Sequence, residues 1–203
     1  MSLAVMVSVP LALVSGLALT LLNGPFLEDL VATFNQALAQ LEQDLQQEGS
    51  GELAFNSLAV PQVAALLATG NAVIALLSLL LGRYWQAALY NPGGFGDEFR
   101  ALKLPAGAVM AMAFVAAALW WMGPDWRVWS AAAVLPLTIV GFALVHAYAA
   151  HSNKGVAWLT LMYVLWIVLD IVKWVWVGCV VIDAFTDFRA RWASPTGKGS
   201  GGA

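Results

Sequence analysis

Five apolar runs, each long enough to cross a lipid bilayer, constrain this chain more than any other feature of its sequence. An α-helix rises about 1.5 Å per residue, so roughly 20 apolar residues cross about 30 Å of hydrocarbon. The runs cover residues 1–22, 58–81, 104–122, 128–149 and 156–182. Only 10% of the 203 residues are charged, whereas a soluble globular domain has about 25%. The pattern therefore predicts an all-α, polytopic transmembrane helix bundle with five spans, forming a single domain over residues 1–191.

The first run has two interpretations. As an N-terminal apolar segment with small residues near Ser15 and Gly16, it resembles a secretory signal peptide. A signal peptide, however, has a basic region before its apolar core, and its core is shorter than this run. No Lys or Arg precedes the run, so the pattern favours a membrane span.

The segment after the first run predicts an amphipathic helix outside the membrane, over residues 26–47. Its apolar residues recur at steps of three and four, with glutamines and acidic residues between them, which is typical of a helix with one apolar face. The segment contains no Lys or Arg, although helices that bind an anionic leaflet usually carry them. We therefore expect this helix to pack on the protein or on a partner. At the other end of the chain, residues 192–203 are predicted to be a disordered tail.

Basic residues predict the orientation, because cytoplasmic loops of membrane proteins are enriched in Lys and Arg. Residues 23–57 contain neither, whereas the loop over 83–103 contains Arg83, Arg100 and Lys103. The loop is therefore predicted to face the cytoplasm, and the acidic helix to lie on the outer side of the membrane.

The C-terminal tail conflicts with this orientation. Five spans place Arg189 and Arg191 outside, against the rule that orients the other loops. We keep a single long, tilted helix over 156–182 as the main prediction and leave the side of the C-terminus open. The alternative breaks this run near Asp170 into two short or re-entrant pieces, which returns the tail to the cytoplasmic side.

Charge and motif content exclude several functional classes. Six of the 12 acidic residues precede the first basic one, Arg83, which argues against a basic nucleic-acid surface. No HExxH motif, nucleophile elbow or pair of carboxylates within a span is present, so no enzyme activity and no cofactor are predicted. His146 and His151 are five positions apart, a poor spacing for two metal ligands on one helix face. The lipid bilayer is the predicted partner.

Three polar residues inside the apolar runs are candidates for a ligand or ion pathway. Asp170 and Lys173 lie three positions apart, on one face of a helix, where a lone charge in hydrocarbon is costly. Asn71 lies in the second run and is a candidate partner for them. The alternative interpretation is structural: the charges pair with each other to fix helix packing, and the Asn bonds a neighbouring helix.

The loop between the second and third runs is the candidate for docking a protein partner. The residues singled out there are Arg83, Asn91, Gly93, Gly94, Phe95, Phe99 and Arg100. The glycines also permit an anion-binding nest of backbone amides, but neither GxxxxGK[ST] nor GxGxxG spacing is present. The alternative is a structured turn with both phenylalanines anchored at the membrane interface.

The loop sequence LLLGRYWQAALYNPGGFGDEFRALKLP (residues 79–105) and the later VGCVVIDAFTDFRAR (residues 177–191) resemble the YybS-like family of bacterial multi-span membrane proteins. The resemblance covers residues 58–191. It implies further N-terminal spans beyond this chain, and a fold likened to the substrate-binding components of energy-coupling vitamin transporters. It implies no catalytic residues.

Two functions follow from these features. The first is a transporter-like or substrate-binding membrane component, which a polar cavity near Asn71, Asp170 and Lys173 would favour. The second is a non-catalytic membrane scaffold that docks a partner through the loop over 83–103 and the helix over 26–47. A dry, tightly packed bundle with projecting loops would favour the scaffold.

Overall fold

The fold is entirely helical across the residues that the computed structural model describes, which are 2–22, 24–48 and 55–193. The helices are α1 (Ser2–Leu22), α2 (Gly24–Gln47), α3 (Val60–Tyr90), α4 (Gly94–Arg100), α5 (Ala106–Trp121), α6 (Pro124–His151), α7 (Val156–Val168), α8 (Asp170–Thr186) and α9 (Phe188–Ala193). No strand occurs in these ranges. The all-α prediction is confirmed.

The two longest helices, α3 and α6, begin where the sequence supplies a start signal. Pro61 lies in the first turn of α3, where a missing N–H costs nothing, and the Gln62 side chain accepts a hydrogen bond from the Ala59 N–H at 3.1 Å. Gly123 precedes α6 with φ +114°, a conformation that favours glycine. Helix α3 continues to Tyr90, well past the predicted end of the second run at residue 81.

Helix α6 forms the centre of the molecule, with α1, α3, α5 and α8 packed around it. Leu137 and Ala143 on α6 are completely buried. Close contact depends on small residues: a Cβ on Gly16 of α1 would lie 2.1 Å from the Trp129 ring of α6. Because glycine has no side chain, α1 can approach α6 at this point more closely than a larger residue at position 16 would allow.

Helix α2 covers the segment for which the sequence predicted a helix over 26–47. Leu27 is fully buried in a cluster with Ala64, Ala65 and Trp129. Farther along, the Asn35 side chain bonds the backbone of Leu58, accepting from its N–H at 2.7 Å and donating to its carbonyl at 3.0 Å. The helix is therefore tied to the start of α3. Its position outside the membrane stays a prediction.

Two helices, α3 and α6, are long and apolar enough to cross a membrane. The number rises to four if each of two bent helix pairs, α1–α2 and α7–α8, forms one span. This count of two to four spans covers only residues 2–22, 24–48 and 55–193. The predicted count of five spans is not confirmed.

The prediction of one continuous helix over residues 156–182 is wrong. Helix α7 ends at Val168, Leu169 adopts an extended conformation with φ −112° and ψ 109°, and α8 starts at Asp170. The axes of the two helices differ by 114°. The alternative interpretation, a break near Asp170, agrees with this geometry. Neither Pro nor Gly stands at the break, so the sequence lacks the usual signal for it.

The α7–α8 pair starts and finishes at the same end of the bundle. Helix α7 follows α6 after a short turn over residues 152–155, and α8 ends beside the loop that joins α4 to α5, where Lys103 contacts Asp187. Near the break, Trp174 lies against Trp120 at the far end of α5, with ring centroids 5.5 Å apart. The chain therefore enters the bundle, turns and returns. Of the predicted tail, Trp192 and Ala193 belong to α9, and residues 194–203 lie outside the described residues.

Candidate functional site

Basic residues gather at one end of the bundle, which we call the basic end. It comprises the C-terminal part of α3, helix α4, the α4–α5 loop, the α6–α7 turn and helix α9. The basic residues there are Arg83, Arg100, Lys103, Lys154, Arg189 and Arg191. The opposite end holds α2 and the α5–α6 turn, where Gln62 donates to the Asp125 carboxylate at 3.2 Å. The two ends thus differ in charge, and the basic residues of α9 lie at the same end as those of the loop over 83–103, whereas five spans would have separated them.

An ion pair between Lys103 and Asp187 joins the α4–α5 loop to the junction of α8 and α9. Asp187 has φ +46° and ends α8. Its carboxylate also accepts a hydrogen bond from the Ala190 N–H at 3.0 Å. The hydrogen bond from Lys103 and the bond from the Ala190 amide lower the pKa of Asp187 below its usual value.

Arg189 is the most buried cation at the basic end, with a side chain only 10% exposed. Its Nη1 donates to the Leu102 carbonyl at 2.5 Å. Its Nη2 lies 3.9 Å from an oxygen of Asp183, whose other oxygen accepts from the Phe188 N–H. Burial lowers the pKa of Arg189, and the nearby carboxylates oppose this shift. Nε and Nη2 are buried and make no hydrogen bond within the described part of the chain.

A cleft of about 530 Å³ opens beside Arg189, and we call it the basic cleft. It is lined by Asp97, Arg100, Ala101, Lys103, Ala147, Ala150, His151, Arg189 and Trp192. Arg100 pairs with the exposed Asp97 at 2.6 Å. Elsewhere in its lining, the His151 and Trp192 rings stack with centroids 5.6 Å apart and planes inclined by 11°. Each of the three basic side chains in the cleft, Arg100, Lys103 and Arg189, lies beside a carboxylate, and the stacked rings add an aromatic surface.

A second cavity, of about 240 Å³, also has Trp192 in its wall, and we call it the apolar cavity. Helices α6, α7, α8 and α9 form its walls, which include Tyr148, Trp158, Trp176 and Cys179. Trp192 also contacts Tyr148, with ring centroids 5.6 Å apart. One indole therefore borders both the basic cleft and the apolar cavity.

The predicted docking loop is folded onto the bundle. Arg83 pairs with Glu98 through two hydrogen bonds, and this contact lowers the pKa of Glu98. Phe99 lies edge-on to His146 with centroids 5.4 Å apart, and it stacks on Phe95 at 6.0 Å. Both rings are partly buried, which agrees with the structured-turn interpretation of the loop.

The remaining residues singled out in this loop shape its turn. Asn91 ends α3, Gly93 adopts φ +88°, and a Cβ on Gly94 would collide with the Asn91 side chain. Arg100 faces the basic cleft. Arg83 and Phe99 thus hold the loop on the bundle, Gly93 and Gly94 form its turn, and Arg100 lines the basic cleft.

The predicted ligand pathway is not assembled. Lys173 pairs with Asp170 at 2.6 Å, as expected, but the Asp170 side chain is 88% exposed. Asn71 is exposed on α3, a helix that packs on α1, α2, α4 and α6, whereas the neighbours of α8 are α5, α6 and α7. The bent α7–α8 pair puts the charged residues on the surface of the bundle. The structure therefore does not bring the three residues together.

The sequence did not identify the residues that line the basic cleft, apart from Arg100. Lys103 and Arg189 are 86 positions apart, and His151 and Trp192 come from still other helices. The only signal was the excess of basic residues in the loop and the tail. Among the described residues, no group of three His, Cys, Asp or Glu side chains is arranged to hold a metal ion.

Comparison of the chain with protein-family models, with curated proteins and with solved structures finds no match. The resemblance of residues 58–191 to the YybS-like family therefore stays a prediction.

Proposed function

We propose that this chain is a multi-pass protein of the bacterial cytoplasmic membrane that binds an anionic substrate at its basic end, as a transporter-like, non-catalytic component. The observation that supports the proposal is the basic cleft, with Arg100, Lys103 and Arg189 around a volume of about 530 Å³. Ligand sites are usually concave, with a few polar groups that converge on the ligand. The excess of basic residues favours a cytoplasmic location for this end.

The charges of the cleft favour an anion because one of its cations is incompletely paired. Arg189 has two buried nitrogens without a hydrogen bond, and leaving such donors unsatisfied costs free energy. An arginine forms its strongest hydrogen bonds with the oxygens of a phosphate or carboxylate. A bound anion would satisfy these donors only if the side chains that cover Nε and Nη2 move, since both atoms are buried.

Thermal stabilisation by phenyl phosphate tests this function, because a ligand that binds only the folded protein raises its melting temperature. The purified protein in detergent is compared with and without phenyl phosphate at constant ionic strength. We expect a rise for the wild type and a smaller rise for Arg100→Gln. Arg127→Gln, at the opposite end, is the matched control and should behave as the wild type. An equal response of all three proteins, or none, would contradict the proposal.

A partner-docking scaffold is the second candidate, and one observation favours it. The last turns of α3 present apolar side chains that are largely exposed, with Trp85 at 60%, Leu89 at 77% and Tyr90 at 83%. The docking surface is then this face of α3 rather than Phe95 and Phe99. Leu89→Ser combined with Tyr90→Ser should remove a protein that co-purifies reproducibly with the wild type, without changing the melting temperature.

A further inference from the structure

The basic cleft is lined by charged residues and the apolar cavity by hydrophobic ones, yet both include the Trp192 side chain. The basic cleft and the apolar cavity share Trp192 in their walls. One side of this residue stacks on His151, which borders the basic cleft, and Tyr148 belongs to the wall of the apolar cavity. A ligand that occupied both would need a charged group joined directly to an apolar one.

The apolar cavity lies next to a surface formed by exposed apolar side chains of α7 and α8. Val175, in its wall, is 54% exposed, and Val156 at the start of α7 is 79% exposed. No residue of α7 is buried, although this helix is apolar on every side. In a membrane, such a surface lies against the hydrocarbon chains of lipids. If this surface faces lipid, the cavity wall at Val175 lies against the hydrocarbon chains.

We infer that the basic cleft and the apolar cavity together bind one anionic phospholipid, with the phosphate among Arg100, Lys103 and Arg189 and part of an acyl chain in the apolar cavity. This inference deepens the proposed function and rests on it, since it names the class of anion. Basic pockets between helices near the cytoplasmic surface suit anionic lipid headgroups. Trp192 lies at the junction of headgroup and chain, the level that indole rings prefer in membranes.

The exposed pair of Asp97 and Arg100 allows the charge of the cleft to be changed in either direction without disturbing the core. Asp97 is 80% exposed on its side chain, and an exposed ion pair contributes little to stability. Asp97→Asn removes a negative charge from the cleft wall and frees Arg100 for the ligand. Arg100→Gln removes a positive charge instead. The two variants should therefore shift lipid affinity in opposite directions.

Quenching of tryptophan fluorescence by lipids brominated in the acyl chain tests the inference. The full chain in detergent is titrated with brominated phosphatidylglycerol, which is anionic, and in parallel with brominated phosphatidylcholine, which is zwitterionic. Quenching by phosphatidylcholine measures general contact of the exposed tryptophans with lipid. We expect additional quenching by phosphatidylglycerol, and the loss of part of this excess in Trp192→Phe.

Charge variants provide the second measurement. One basic residue near an anionic lipid surface changes the binding free energy by about 1 kcal/mol, or about five-fold in affinity. We expect Asp97→Asn to bind phosphatidylglycerol about five-fold more tightly and Arg100→Gln about five-fold more weakly, with Arg127→Gln unchanged. Equal quenching by the two lipids, or no effect of either charge variant, would overturn the inference.

Phenyl phosphate distinguishes a failure of this inference from a failure of the proposed function. Stabilisation by phenyl phosphate that depends on Arg100, without excess quenching by phosphatidylglycerol, would reject the lipid and leave a soluble anion as the substrate. The absence of both effects would reject the proposed function as well. In a competition experiment, glycerol 3-phosphate is added at the same concentration as brominated phosphatidylglycerol. If the excess quenching persists, the result supports a lipid ligand, because glycerol 3-phosphate carries the phosphate but lacks the acyl chains.

Discussion

Lys103 and Asp187, which are 84 positions apart in the chain, form an ion pair that holds the end of α8 against the loop between α4 and α5. Nearby, Arg189 donates to the Leu102 carbonyl, and Trp192 stacks on His151. These contacts place α9 at the same end of the bundle as Arg83 and Arg100. The conflict between the basic tail and the positive-inside rule is thereby removed, because the bent α7–α8 pair returns the chain to the end where it began.

The first prediction concerns this topology. Single cysteines at Gln43, Pro92 and Arg191, all exposed positions, are introduced in a Cys179→Ala background and treated on intact cells with a thiol reagent that cannot cross the membrane. We expect labelling at Gln43 and protection at both Pro92 and Arg191, because α4 and α9 share one end of the bundle. Labelling at Arg191 together with Gln43 would mean that α7 and α8 cross the membrane as one span.

The second prediction concerns the contact between α1 and α6. A Cβ on Gly16 would lie 2.1 Å from the Trp129 ring, so Gly16→Ala should destabilise the protein by about 1–3 kcal/mol through overpacking. Gly70→Ala is the matched control, since nothing lies within 4 Å of its added Cβ. In the interior of α3, this change should stabilise by about 0.5–1 kcal/mol. Thermal melting in detergent measures both, and equal shifts would contradict the close helix contact.

The third prediction separates anchoring from docking in the loop over 83–103. Phe99 packs on the core cluster that contains Leu102 and Val140, so Phe99→Ala should lower stability by about 1–3 kcal/mol. Tyr90→Ala, at a position 83% exposed, should change it by less than about 0.5 kcal/mol. If Phe99→Ala left the melting temperature unchanged, the ring would be available to a partner instead.

The fourth prediction concerns pH. Hydrogen bonding to Arg83 lowers the pKa of Glu98 in the folded protein. The stabilising contribution of Glu98 is therefore complete above the pKa of about 4.3 expected for the unfolded chain, and it is lost as the pH falls through the lower folded value. We expect Glu98→Gln to melt below the wild type at neutral pH and the gap to narrow in acid. Glu28→Gln, on the exposed face of α2, removes one carboxylate that has no such partner among the described residues and serves as the control; its melting temperature should differ little from that of the wild type at either pH.

The sequence by itself determined the all-helical fold class and the approximate extents of α1, α2, α5 and α6. Runs of apolar residues indicate a membrane protein, because in a soluble fold water would have to solvate those left exposed. Breakers such as Gly123 and Pro124 end or start helices by local backbone conformation. These effects act over a few residues, so they can be read without knowledge of the fold. The difference in charge between the two ends was equally local, since it depends only on which loops carry Lys and Arg.

The tertiary structure alone decided the break at Leu169 and the composition of the basic cleft. Val168, Leu169 and Asp170 contain no helix breaker, and the bend arises in a segment that packs against α6 and α5 near Trp174 and Trp120. The cleft depends on that bend, because it brings Arg189 and Trp192 back to Lys103 and His151. Contacts between residues 40 to 90 positions apart depend on how whole helices are arranged. Spacing along the chain carries no information on such an arrangement, which is why Asn71, a candidate partner for Asp170, lies on a helix that does not pack on α8.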